Sequence, residues 1–344
     1  MVNFRAMITP APLKILTLNC WGIPYFSKKR AQRIKAIINT IKKSDWDVVA
    51  LQEVWLKNDR LKIEREAGFK FVTSFENKKL IGSGMMLLSR YEILETSFYE
   101  FCAKGLSYKL KEFDFHTGKG IGFASIKTPF GVIPFFNTHL IADYSAHSKS
   151  ASNRIFRLAQ IAEVVAFVES KVEDSFIFCG DLNTSENDLE FRLFSTRLRI
   201  KKLFAQESTF DNKRRIDHIL VGSFSESYKF EVMKIQNVLT EVVESIGMKH
   251  SDHEGISAHL LPSIQEVEED FRINDFIKAV RYSALAIRLL KAEYKKIMKV
   301  PHIGGLLHRS VLKQESILFN LLKSFELRLE DLSYSQPSKT FGVR

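Results

Sequence analysis

Cysteine is scarce in this 344-residue chain, and long apolar runs are missing. The three cysteines, Cys20, Cys102 and Cys179, are an odd number, which argues against a closed disulfide framework. Cys20 and Cys179 fall in apolar runs that read as core strands, so buried thiols in a reducing compartment are expected. No apolar stretch reaches the roughly 18–20 residues that cross a bilayer as a helix. The opening MVNFRAMITPAPLK lacks the uninterrupted apolar core of a secretory signal. Internal repeats and low-complexity tracts are also absent. These absences predict a cytoplasmic or peripheral-membrane protein, although a bacterial effector secreted by a non-classical route would look the same.

What is present is ordinary globular composition, 45% hydrophobic and 26% charged, with a formal charge of +11. The excess of basic residues suits an anionic partner, nucleic acid or an acidic membrane surface, without choosing between them. The length fits one large domain or a domain with an appendage.

The pattern changes once along the chain. Up to about residue 262, apolar β-type runs alternate with helical patterns. Residues 30–43 place Ile34, Ile37, Ile38 and Ile41 on one helical face, and residues 153–171 do the same with Ile155, Leu158, Ile161, Ala162, Val165 and Val168. Strand-like segments fill 71–140. An α+β sandwich is the expected architecture. After Pro262 the spacing is helical only, over 276–298 and 307–332, interrupted by Pro301 and the Gly304–Gly305 pair. The expected organisation is a catalytic domain over 13–262, a basic helical hairpin over 263–334 and a flexible tail over 335–344. The hairpin either packs on the domain or rests its apolar elbow, 303–308, on an anionic membrane.

Short polar motifs close the apolar runs: ILTLNCWG (15–22), VVALQEVW (48–55), FFNTHL (135–140), FIFCGDLN (176–183), RIDHILV (215–221) and HSDHEG (250–255). Carboxylates, carboxamides and histidines at strand ends are what a hard metal ion and a phosphate ester require. Asp181 and Asn183 are two apart behind Gly180, which lets the backbone turn; in an extended segment such residues point the same way. An Asp here could equally cap the next helix. His253, beside Asp252, has an ordinary pKa near ~6.5 that suits proton transfer at neutral pH. Glu53 ends an apolar run, where a carboxylate needs a partner such as a metal or else faces solvent. Asn19 is a neutral oxygen ligand or a turn former. His139 is a site residue or a satisfied core histidine. Asp217 orients a histidine or pairs with Arg215.

Together these motifs, in this order, resemble the endonuclease/exonuclease/phosphatase (DNase I-like) superfamily over about 13–262. Within it the neutral sphingomyelinases are the nearest likeness. LNCWGIPYFSKKRAQRIKAI is similar to their opening, QEVW carries their Trp, and GSGMMLLSRYEI resembles their glycine-containing strand and its exit. Lys119–Gly120 ahead of NTHL, with Asp114 five residues before, is similar to their Asp–Lys pair. Gly118, Gly120 and Gly122 around Lys119 are expected to let the chain approach a ligand closely. SNRIFRLAQIAEVVAFV resembles their Arg-x5-Gln helix. Departures are SRYEI without a Pro, and His218 where an aromatic residue is usual.

The resemblance implies a four-layer α/β/β/α sandwich and a Mg2+-dependent phosphodiesterase, with Mn2+ as an alternative ion. It implies a metal held by Glu53 and Asn19, with Asp252 at a second metal or a metal-bound water. Asp181, Asn183 and His139 would surround the phosphoryl group. His253 would take the proton from water, with Asp217 fixing its tautomer, and Lys119 would give positive charge to the phosphodiester. The implied substrate is a phospholipid, sphingomyelin foremost, cleaved to ceramide and phosphocholine. A DNase I-like nuclease also suits the +11 charge, but the aromatic-and-basic interleaving of base stacking is missing. A phosphoinositide phosphatase lacks any further signature for the inositol ring. A dead scaffold conflicts with the intact Glu53 and His253.

Overall fold

In the computed structural model, residues 11–75, 82–105, 117–142, 152–201, 208–211, 213–225 and 227–266 are described, with isolated helical positions 288, 291, 292 and 323 beyond them. The motif runs are strands: β1 (Leu13–Asn19), β2 (Val48–Gln52), β7 (Gly131–His139), β8 (Ser175–Asp181) and β10 (Asp217–Ser223). They are apolar along both faces because both faces are covered. Strand parity sorts them. Ile15, Val48, Ala50, Phe135, Ile177, Cys179, Ile219 and Val221 meet between two sheets. Their neighbours Leu16, Leu18, Val49 and Leu51 face the helices α1 (Arg30–Lys43) and α2 (Lys57–Glu66). Phe136, Phe176 and Phe178 face α3 (Ser152–Glu169) and α4 (Leu189–Arg197). Four layers, α/β/β/α, result. Each apolar side chain buried in them stabilises the fold by about 1.5–3 kcal/mol.

One six-stranded sheet runs β11 (Ser227–Val238), β12 (Gly255–Glu266), β1, β2, β4 (Met86–Ser89), β3 (Phe71–Ser74). The other runs β5 (Glu92–Glu100), β6 (Gly120–Thr128), β7, β8, β10, β9 (Ile200–Lys201). The neighbours β1 and β2 are parallel, as are β7 and β8, so all four of these strands end in their motifs. β10 is antiparallel to β8 and β12 to β1, so these two strands begin where the others end.

The expected helical faces are observed: α1 buries Ile34, Ile37, Ile38 and Ile41. On α3 the apolar face also carries the buried Glu163, which accepts hydrogen bonds from the Tyr99 hydroxyl and the Cys102 and Ala103 amides. Cys20 and Cys179 are buried free thiols and Cys102 is exposed. β12 extends to Glu266, past the break read at Pro262. The helical hairpin and the tail lie outside the described residues, apart from the isolated helical positions. No helix among the described residues is long and apolar enough to cross a membrane.

Candidate active site

Inner-face parity continues past the apolar rungs. On β1 it passes from Ile15 through Thr17 to Asn19, on β7 from Phe135 through Asn137 to His139, and on β8 from Cys179 to Asp181. Register then sets His139 opposite Asp181, and Asp181 opposite Asp217. Asn19 is opposite Gln52, the residue before Glu53. One end of the inter-sheet layer therefore becomes polar, and all the motifs meet there.

A buried bridge underlies this end. Gln52 Nε2 donates to Thr17 Oγ1 (3.0 Å) and, across the sheets, to Asn137 Oδ1 (2.8 Å). Asn137 Nδ2 donates to the carbonyls of Leu51 and Met86. Above it, Asn19 Nδ2 donates to Asp181 Oδ2 (2.9 Å) and Glu53 Oε1 (3.3 Å), while its Oδ1 accepts the Trp21 N–H. Asn19 thus acts as a donor between two carboxylates. To ligate a metal through oxygen, its carboxamide would have to turn over.

Glu53 Oε2 is buried and has no hydrogen-bond partner among the described residues. Burial raises the Glu53 pKa to about 7; nearby Asp252 adds to the rise, and Lys119, His253 and Asn19 oppose it. Asp181 is raised to about 6, by burial and then by Asp217. Leaving a buried carboxylate oxygen unmet costs about 1–3 kcal/mol or more. Glu53 also sits at φ 59°, as do Trp21 at 47° and Asn183 at 48°. Such backbone costs about 1–3 kcal/mol each, and it tends to cluster at working sites.

Asn183 and Asp181 share the site through a turn, not an extended segment. The Asn183 amide donates to Asp181 Oδ1 (2.9 Å), and Asn183 Nδ2 to the Leu140 carbonyl (3.0 Å). Gly180 sits at φ 140° and lets β8 approach β7 closely: a Cβ there would stand 2.1 Å from the Thr138 carbonyl oxygen. The glycines near Lys119 likewise serve packing. A Cβ at Gly120 would meet the Tyr99 carbonyl, and one at Gly122 the Phe75 ring, so neither opens the chain to a ligand.

Lys119 is buried. Its Nζ donates to His139 Nε2 (3.0 Å) and to the Leu140 carbonyl (2.9 Å). With the ammonium as donor, His139 accepts through Nε2, and its Nδ1 is buried without a hydrogen-bond partner among the described residues. Burial, then Lys119 and His253, hold the His139 pKa well below its ordinary value. The positive charge here is Lys119's; His139 is its acceptor. Asp114 lies outside the described residues.

Asp217 settles its alternatives. Arg215 pairs with Glu186 instead. Asp217 Oδ2 accepts from His253 Nδ1 (2.8 Å), and Thr209 Oγ1 accepts the Asp217 amide. His253 Nε2 faces Asp181 Oδ2 at 3.9 Å, and its ring packs on Phe210. Burial alone would lower the His253 pKa, but Asp217, Asp181 and Asp252 outweigh it and raise it to about 10. Asp252 itself is exposed at the rim.

Ligand atoms of Asp181, Asp217 and His253 lie within 4.8 Å of one another, a spacing a metal could use. The Asp217–His253 bond uses Asp217 Oδ2 and His253 Nδ1, and leaves Asp217 Oδ1 buried without a hydrogen-bond partner among the described residues. Glu53 offers a second candidate cation seat beside Asp181, since its Oε2, like Asp217 Oδ1, is buried without a partner among the described residues and Asn19 Nδ2 bridges Glu53 to Asp181.

The sequence motifs did not single out the residues that hold these groups. Arg33 is fully buried, with its guanidinium on the carbonyls of Cys20, Trp21, His250 and Lys28 and over the Trp21 ring. It ties the end of β1 to the segment before β12. Ser251 Oγ does the same by donating to the Asn19 carbonyl (2.6 Å). Gln52 and Asn137 carried a readable signal, polar residues in apolar runs at inner parity. Arg33 carried none beyond its place on the apolar face of α1.

The chain is similar to several known proteins. A sphingomyelin phosphodiesterase 2 of Rattus norvegicus is 27% identical over 75% of this chain and 67% of its own length. An inositol phosphosphingolipids phospholipase C of Schizosaccharomyces pombe is 34% identical over 50% of this chain and 41% of its own. The chain thus spans only part of these relatives. A Staphylococcus aureus beta toxin variant crystallised with bound magnesium ions superposes with a TM-score of 0.60 at 19% identity, covering 72% of this chain and 99% of that one. Residues 16–253, which include Asn19, Glu53, His139, Asp181, Asp217 and His253, match the Endonuclease/Exonuclease/phosphatase family, and the chain belongs to it.

Proposed function

We propose that this chain is a Mg2+-dependent phosphodiesterase that hydrolyses a sphingomyelin-type phospholipid to ceramide and phosphocholine. The observation that carries the reading is the buried Glu53 oxygen, without a partner among the described residues, beside Asp181 and next to an Asp217–His253 pair. A hard cation held by few carboxylates suits Mg2+, with Mn2+ its substitute. Bound there, the cation supplies positive charge to a non-bridging phosphate oxygen.

The chain's own residues do the rest in this reading. Glu53 is the main cation ligand, held in place by Asn19. Asp252, at the rim, would hold water or a second cation. His253 Nε2 takes the proton of the attacking water, and Asp217 keeps the other ring nitrogen protonated. His253 starts from a pKa of about 10. It becomes a base when positive charge offsets the carboxylates that raise it. Lys119 places charge beside the phosphoryl group, while His139 fixes the lysine's position. Asn183 and Asp181 shape the phosphate seat.

The relatives' names support sphingolipid phosphodiester cleavage and leave two headgroups, phosphocholine and phosphoinositol. The test offers the purified chain sphingomyelin vesicles, inositol phosphosphingolipid vesicles, phosphoinositides and plasmid DNA, with and without Mg2+. Phosphocholine release is expected. Cleavage of DNA alone would overturn the lipid reading.

A further inference from the structure

The loop after β1 combines a fixed frame with a wet aromatic tip. Tyr25 is 103% exposed and Phe26 75%, the two highest values among exposed large hydrophobics of the described residues. No two of the others, Leu61, Leu94, Val132, Met233 and Val242, are adjacent in the chain. The loop begins two residues from Asn19, whose Oδ1 accepts the Trp21 amide. Gly22 lies so close to Glu53 that a Cβ would stand 2.0 Å from the Glu53 carbonyl oxygen. Arg33 grips the Cys20 and Trp21 carbonyls on one limb and the Lys28 carbonyl on the other. The Ser27 amide and hydroxyl both donate to the Ile23 carbonyl (3.1 and 2.7 Å), closing the turn. Lys28 and Lys29 are exposed at its base, Lys29 with its ammonium on the Ile246 carbonyl.

We propose that residues 22–29 form a membrane foot: Tyr25 and Phe26 insert at the lipid–water interface, Lys28 and Lys29 meet lipid phosphates, and the catalytic end of the sandwich is thereby set against the bilayer. The tip is convex and two residues wide, too small for the roughly 800 Å2 per partner that a stable protein interface buries. Tyr and Phe flanked by Lys are the chemistry of interfacial anchoring. The pins from Arg33 and Ser27 mean that little order has to be gained on docking. Facing the active site toward its substrate rests on the lipid phosphodiesterase reading, whereas the docking itself does not.

The experiment compares wild type with Tyr25→Ser/Phe26→Ser. It measures sedimentation with vesicles of phosphatidylcholine and phosphatidylserine, with and without sphingomyelin, alongside turnover of a water-soluble phosphocholine diester. Vesicle binding and vesicle sphingomyelin hydrolysis should fall about tenfold or more, with melting temperature and soluble-diester turnover unchanged. A second variant, Phe26→Trp, should show a blue-shifted emission change on vesicle addition. Unchanged binding in the double variant, or no emission change, overturns the foot even if sphingomyelin is cleaved. Lost binding in the variant supports it even if wild type cleaves no sphingomyelin, an outcome that would defeat only the catalytic reading.

Discussion

The two ends of the inter-sheet layer are built from the same strands at the same parity, yet they do opposite things. Toward one end the inner rungs are Ile15, Val48, Ile133, Ile177 and Val221, all in one apolar core. Toward the other they are Asn19, Gln52, His139, Asp181 and Asp217, all buried. The first end gains stability from every side chain it hides. The second accepts an unmet carboxylate oxygen, positive-φ residues and raised carboxylate pKa values. The difference shows that the apolar end fixes the spacing that the polar end uses, and the polar end pays for its chemistry out of that stability.

The sharpest way to break this comparison is His253→Ala. Turnover should fall about 100-fold or more, with melting temperature changed by a few degrees at most; kinetics beside a thermal melt will check it. Turnover close to wild type would remove His253 from the reaction.

Glu53→Gln should come next. Mg2+ affinity and turnover should fall together, about tenfold or more, because a neutral oxygen replaces a charged one. Calorimetric Mg2+ titration of both proteins reads affinity apart from activity. Equal affinities would reassign the cation seat.

A subtler effect concerns His253 itself. In chelator its imidazole should titrate near about 10, protonated through neutral pH, because Asp217, Asp181 and Asp252 overcome the burial that alone would lower it. Added Mg2+ should move that midpoint down, as seen by NMR of the ring. A midpoint indifferent to Mg2+ would separate base from cation.

The smallest effect tests His218, the buried histidine next to Asp217 in β10. Burial, with Arg215 adding to it, lowers the His218 pKa to about 4, below the ordinary value near ~6.5. The unfolded chain binds a proton that the folded one refuses. The stability at stake is therefore complete above about pH 6.5 and is lost as pH falls toward 4, about 3 kcal/mol in all. His218→Phe, packed on Phe191 in place of the ring stack seen there, should flatten denaturant-measured stability over that window. An unchanged slope would place the sensitivity elsewhere.

Much of this was legible in the sequence. Continuous apolar runs ending in Asn, Glu, His and Asp announced both the sandwich and its polar end, because a strand buried on both faces reads as an unbroken apolar run. The faces of α1 and α3 were legible because helical periodicity is local in sequence. Arg33, Ser251 and Thr209 were not, since each acts by bonding backbone from distant segments, and no periodicity encodes a carbonyl's position. The glycines at 120 and 122 were misread as freedom for a ligand to approach; the space they leave is filled by Phe98 and Phe75. Asn183 was read on an extended segment, but the chain turns there at positive φ.

The central claim, that the polar end is a cation-dependent phosphodiester site, is tested most directly by phosphocholine release from sphingomyelin vesicles in chelator and after Mg2+ is restored. The account expects silence in chelator and full recovery with Mg2+. Release that persists in chelator, or none at any Mg2+ concentration, would contradict it.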